Sequence, residues 1–171
     1  MPRPDPTEYA GYFGKYVALV PEEDVVAALE AQLADVRALL RPVPEGQSNV
    51  RHPPYTWSVK EVIGHMTDTE RVFGYRALRF ARGDATPLPG FDENAYAREA
   101  GSDRCPLREL VAEFEAVRRS HIWFYRHLPA AAWTRTGEAN GNAVSVRAWA
   151  FIMVGHARHH TAILRKRLAG A

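Results

Sequence analysis

The sequence predicts an all-α protein, a four-helix bundle with a long loop between its second and third helices. Three observations predict it. Apolar residues recur at three- and four-residue spacing in four long segments, proline- and glycine-rich joints separate those segments, and no run alternates strongly enough to compete as a strand. The joints lie at the N-terminus, in "RPVPEGQSNVRHPPY", in "RGDATPLPGFDEN", and around "LPAAAW" and "TGEANGN".

The first helix is expected from about Glu22 to Arg41, where Val25, Leu29, Val36 and Leu40 share a face and Pro42 ends the pattern. The second opens at "WSVKE". Ser58 caps it, Glu61 three residues on completes a capping box, and the apolar positions Val62, Met66, Phe73, Ala77 and Phe80 run on to Gly83. The third opens near Pro106 and carries Leu107, Leu110, Phe114, Val117 and Tyr125 on one face, with Pro129 after it. The fourth runs from Ser145 to about Leu168, and its middle, "WAFIMV", is apolar all round, as in a helix buried on more than one side. "GNAVSVR" reads at most as a short extended piece leading into that helix. Residues 83 to 105 leave room for a crossover or a loop over one end of the bundle.

With 171 residues and 46% apolar composition, the chain fits a single globular domain spanning residues 1–171. Acids and bases are interspersed and sum to +2, so no basic face is available for nucleic acid. The one cation-rich stretch, "RKRLAGA", sits where a helix C-terminus favours positive charge. Cys105 is the only cysteine, no signal-peptide core follows Met1, and the longest uncharged apolar stretch, Ala148 to Gly155, is too short for a bilayer. A soluble cytoplasmic protein is expected, with no membrane partner.

The chemistry concentrates in "FIMVGHARHHTAIL", an apolar helix broken by three histidines. His156 falls in the stripe of Trp149, Ile152 and Ile163, and His160 lies one turn on. His159 is also within reach of that face, so spacing leaves both in play. Two imidazoles four residues apart can aim ring nitrogens at one ion. A third from a neighbouring helix would complete a three-histidine site with one position open, the arrangement of catalytic zinc. His65 lies at the edge of the second helix's stripe and His121 within that of the third, where the plainer reading is a hydrogen-bonded core residue. Ala157 follows His156, so the His-Glu-x-x-His pattern, which carries its own base, is absent. Glu61 and Asp68 flank His65; each can orient a ligand from outside, and their plainer roles are cap partner and solvated face. Cys105 reads as an unremarkable loop cysteine, and Trp57 and Trp149 as core residues. Phe91 to Tyr96 borders either the site or a dimer interface.

"WSVKEVIGHMTDTERVFGYRALRFARGD", "PGFDENAYA" and "GHARHHTAIL" together resemble the DinB-like family and, within it, the YfiT-type metal-dependent hydrolases; the likeness covers nearly the whole chain. The resemblance implies a four-helix bundle, a homodimer, and a divalent metal, zinc or nickel, held by His65 of the second helix and His156 and His160 of the fourth, with His159 as a neighbour. It also implies a low-molecular-weight thiol cosubstrate such as bacillithiol, mycothiol or glutathione. A metal with an open position binds and ionises a thiol, which attacks an electrophile without a protein base. Arg76 is then a candidate for a cosubstrate carboxylate, though its plainer reading is a solvated helix arginine. The competing functions are a hydrolase that activates water at the same position and a non-catalytic bundle that binds metal or a small ligand.

Overall fold

A computed structural model describes residues 2–170. Its helices are α1 (Gly14–Val17), α2 (Val25–Leu40), α3 (Glu45–Ser48), α4 (Val59–Ala81), α5 (Glu93–Glu99), α6 (Leu107–Arg126) and α7 (Val146–Ala169), with strands β1 (Thr136–Ala139) and β2 (Asn142–Ser145) before the last. The four long helices form the bundle: α2 and α4 each pack against both α6 and α7, and the short α1 lies on α7. The four expected segments are therefore the four bundle helices. The Asp24 carboxylate accepts from the Val26 and Ala27 amides to open α2, and the Ser58–Glu61 capping box opens α4. The Ser145 hydroxyl accepts from the Ala148 amide to open α7. Pro106 stands just before α6 and offers it no side-chain capping hydrogen bond; the first α6 amide, on Leu107, instead donates to Glu45 of α3 at 3.1 Å.

Two segments hold more order than their sequence signalled. "GNAVSVR" is one arm of a hairpin with Thr136 opposite Ser145, turned by Asn140 and Gly141, both at positive φ, as a two-residue hairpin turn requires. The loop after α4 contains α5, and Leu88 bonds to both sides of β1's end through Glu138 and Asn140. That bridge ties the loop to the hairpin over one end of the bundle.

The interior is layered. One apolar cluster gathers Leu29, Phe73, Tyr125 and the start of α7 from Val146 to Val154. A second gathers Val36, Met66, Phe114 and Leu164. Between them runs a polar layer centred on Arg118, which is 0% exposed. Its Nε and Nη2 donate to the two Glu70 oxygens at 2.9 and 2.6 Å, and its Nη1 donates to Gln32 Oε1 at 2.6 Å. Gln32 Nε2 in turn donates to the Val154 carbonyl at 2.8 Å, and His121 Nδ1 lies 3.2 Å from Glu70. The network engages α2, α4, α6 and α7. Burial alone would raise the Glu70 pKa; the Arg118 charge, together with hydrogen bonds from His121 and Arg118, holds it below the usual carboxylate range.

Replacing Arg118 by Met strands the Glu70 charge in the core, and urea unfolding is expected to show a loss of about 3–5 kcal/mol; adding Glu70→Leu to that variant should restore part of it. A second dependence concerns pH. Glu8 receives Arg147 Nε at 2.7 Å, and the Arg147 hydrogen bonds pull its pKa down to about 2 from 4.5. An acid depressed in the folded state adds stability that is complete above its unfolded pKa and disappears as pH falls through the folded one. The stability advantage of wild type over Glu8→Gln should therefore be full above pH 4.5 and shrink toward pH 2, followed by thermal unfolding across that range.

Candidate functional site

The polar layer continues to one side of Arg118 as three imidazoles. His65 comes from α4 and His156 and His160 from successive turns of α7, whose side chains meet where the two helices pack. His156 Nε2 lies 3.1 Å from Nε2 of His65 and 3.1 Å from Nε2 of His160, and the three donor atoms all lie within 4.8 Å of one another. Nitrogens bound to one tetrahedral zinc at 2.0–2.1 Å stand about 3.4 Å apart, so this spacing fits a shared divalent ion after small ring movements. The protonation states fit as well. Burial lowers the His65 pKa to about 4 and, with the neighbouring histidines adding to it, the His160 pKa to about 3 and that of His156 well below 6.5. At neutral pH all three rings are uncharged and have lone pairs to offer.

Aromatic rings fix the imidazoles. Trp57 packs on His65 with centroids 4.8 Å apart, and Tyr16 and Phe73 meet His156 edge-on at 5.4 and 5.9 Å. Tyr16 reaches His156 because α1 lies directly on α7 at Gly155: a Cβ there would stand 2.0 Å from the Tyr16 carbonyl oxygen, so only glycine allows the approach. The three histidines lie on the wall of a cavity of about 540 Å³, roofed by Tyr12, Lys15 and Tyr16 from the N-terminal segment and by Phe91 and Glu93 from the loop after α4.

Of the other residues singled out by sequence, His159 is half-buried, with its ring 5.6 Å from Tyr16 and also on the cavity wall. His121 is the hydrogen-bonded residue expected, on Glu70. Glu61 is engaged in the α4 cap and accepts from Arg51 at 2.6 Å, while Asp68 pairs with Arg71 at 3.4 Å, so both carboxylates have the plainer of their two expected roles. Cys105 is half-buried at the start of α6 and takes no part in the cavity lining. Phe91 borders the site. Two expectations are corrected. Trp57 is only half-buried: it packs against the edge of the second apolar cluster and also forms part of the cavity wall, because the loop before α4 lays it across His65. Arg76 is not solvated: it is 4% exposed, because the loop carrying Pro89 and Phe91 folds over it. Sequence reasoning missed Tyr16 and Thr69. Thr69 follows His65 at the four-residue spacing that would have placed it on the same face. For Tyr16 the one available signal was the glycine at position 155, which marks a close approach without naming what approaches.

The fold has solved counterparts. It superposes with a TM-score of 0.76 on YfiT from Bacillus subtilis, described as "a probable metal-dependent hydrolase with an unusual four-helix bundle topology", at 18% identity over 88% of this chain and 93% of that one. It superposes at 0.71 on the mycothiol-dependent maleylpyruvate isomerase, at 14% identity over 86% of this chain and 62% of the isomerase, so the match spans less than two thirds of that enzyme. At these identities the likeness is one of fold. A sequence comparison with curated proteins finds no match. The DinB superfamily model matches residues 28–164, most of the chain and all three clustered histidines, and the protein belongs to that superfamily.

Proposed function

We propose that His65, His156 and His160 hold one divalent ion, zinc or nickel, and that the protein, working as one domain in the cytoplasm, uses it to transfer a low-molecular-weight thiol to a small electrophile. The observation that carries this reading is the cluster itself: three uncharged imidazoles, with the Nε2 of His65 and of His160 each 3.1 Å from that of His156 and all three within 4.8 Å of one another, on the wall of a cavity large enough for two small reactants. An ion so held supplies Lewis acidity and lowers the pKa of a thiol that reaches it. The chain's own residues do the rest. His65, His156 and His160 leave one side of the cluster facing the cavity, Trp57 and Phe73 keep the rings in place and limit access by water, and the α1 roof confines the reactants.

The acids near the site favour thiol chemistry over hydrolysis. Glu61 and Asp68 are committed elsewhere, whereas a hydrolase benefits from a carboxylate base facing the reacting water. Glu93 is the one acid on the cavity wall among the described residues, and it is the residue on which a hydrolytic reading would depend.

Protein purified without an affinity tag should carry about one divalent ion per chain by elemental analysis, falling below about a tenth in His156→Ala. In the nickel-loaded protein, glutathione or 2-mercaptoethanol should produce a sulfur-to-metal charge-transfer absorption that His156→Ala lacks, and Glu93→Gln should leave that absorption and the turnover of thiol with 1-chloro-2,4-dinitrobenzene unchanged. Failure to bind zinc or nickel at all would overturn the reading. Retained metal with no thiol band, and ester hydrolysis abolished by Glu93→Gln, would replace it with the hydrolase.

A further inference from the structure

Arg76 stands on the same face of α4 as His65: residues 65, 69, 73 and 76 follow one another at helical spacing, and all four line the cavity. One Nη2–H donates to the Pro89 carbonyl at 2.8 Å, and the guanidinium lies over the Trp149 ring at 5.4 Å and the Phe91 ring at 5.8 Å. No carboxylate among the described residues forms an ion pair with it. Arg118, fully buried, is answered by both oxygens of Glu70. A buried guanidinium with one carbonyl and two ring faces has most of its planar fork unused, and a buried charge without a counter-ion is unfavourable.

Thr69 is an independent sign of a ligand on the same wall. Its hydroxyl is buried and has no hydrogen-bond partner among the described residues. Helical threonines commonly return the hydroxyl to the carbonyl four residues back, and Thr67 and Thr161 do so here at 2.9 Å. Thr69 does not, and it lies one turn from His65. The wall thus presents, in order from the histidines, an unpartnered hydroxyl, the Phe73 ring and an unneutralised cation. Lys15 on the roof adds a second positive charge to the cavity against the single negative charge of Glu93.

We propose that the cavity takes an anionic substrate: Arg76 holds its carboxylate, or an oxyanion of the same flat shape, and the Thr69 hydroxyl donates to an oxygen between that group and the histidines. The fork geometry of arginine selects a planar two-oxygen acceptor. The His65 and Arg76 backbones are separated by about 16 Å along the helix, and the arginine side chain leans back toward the helix start, so the ligand is a small elongated molecule with an apolar or aromatic middle against Phe73. The inference rests on the preceding reading only for where the reacting end lies. The anion belongs either to the thiol or to the electrophile.

Calorimetric titration with 4-oxo-4-phenylbutanoate, its primary amide and 4-phenylbutanoate tests this, in metal-loaded and in chelator-treated protein. Wild type should bind the acid at least about tenfold more tightly than the amide, with or without metal. Arg76→Gln should bring that ratio to about twofold or less, and Arg76→Lys, which keeps the charge without the fork, should give an intermediate ratio that decides the matter if the glutamine variant does not fold. Thr69→Val should weaken the keto acid about threefold and leave 4-phenylbutanoate unchanged. Competition by glutathione but not by 2-mercaptoethanol assigns the anion to the thiol, and competition by neither assigns it to the electrophile; the subsite stands in both cases. Equal binding of acid and amide, or a ratio that survives in both Arg76 variants and disappears on metal removal, overturns it. A protein that holds no metal yet keeps the ratio leaves this inference intact and defeats only the metal reading.

Discussion

The helices that carry the three clustered histidines are held in register by the buried pair of Arg118 and Glu70. An ion pair at this depth is a weak source of net stability, since desolvating both charges costs nearly what their attraction returns. Its effect is on alignment. Glu70 sets how far α4 slides along α6, and Gln32, on the same guanidinium, fixes the α7 backbone at Val154. His65 lies five residues before Glu70 and His156 two after Val154. A sliding error of one turn in either helix, about 5.4 Å, would part the three imidazoles. Apolar surfaces tolerate such slippage, whereas a two-oxygen acceptor facing a fork of N–H donors accepts one alignment.

The layering follows from this arrangement. Apolar clusters above and below seal the charged layer from water, which lowers the local dielectric and strengthens the pair. Burial in the same low dielectric keeps His65, His156 and His160 uncharged; neighbouring histidines add to the effect at His156 and His160, and the Arg118 charge adds to it at His156. One polar layer therefore orders the bundle at its centre and prepares a set of neutral nitrogen donors at its edge.

The bundle helices were legible because periodicity, caps and breakers agreed: Ser58 with Glu61, Ser145 before the apolar run, and the prolines at 42 and 129 all marked real ends. The three clustered histidines were legible for a related reason. Two share a helix face, where spacing determines proximity, and the third sits beside a readable stripe; the family resemblance was still needed to choose among His65, His121 and His159. What escaped were contacts made by chain segments without a period. The folding of residues 89–91 over Arg76, the laying of Trp57 across His65 and the docking of Tyr16 at Gly155 are tertiary facts about loops, and nothing in local spacing encodes them. Gln32 was unreadable for another reason: a lone amide on an apolar stripe looks like an interruption until its buried partners are known.

The cavity is made of two kinds of structure. Its floor belongs to long helices locked in register, and its roof to the short N-terminal turns, the loop around Phe91 and the Asn140–Gly141 turn. These elements can diverge at different rates. A roof residue can be exchanged, or a loop lengthened, without moving a donor atom of the floor, so what the cavity admits can change while the three-histidine cluster stays in place. Likeness of fold is carried by the floor alone, so chains that share this frame can still differ in what their cavities admit.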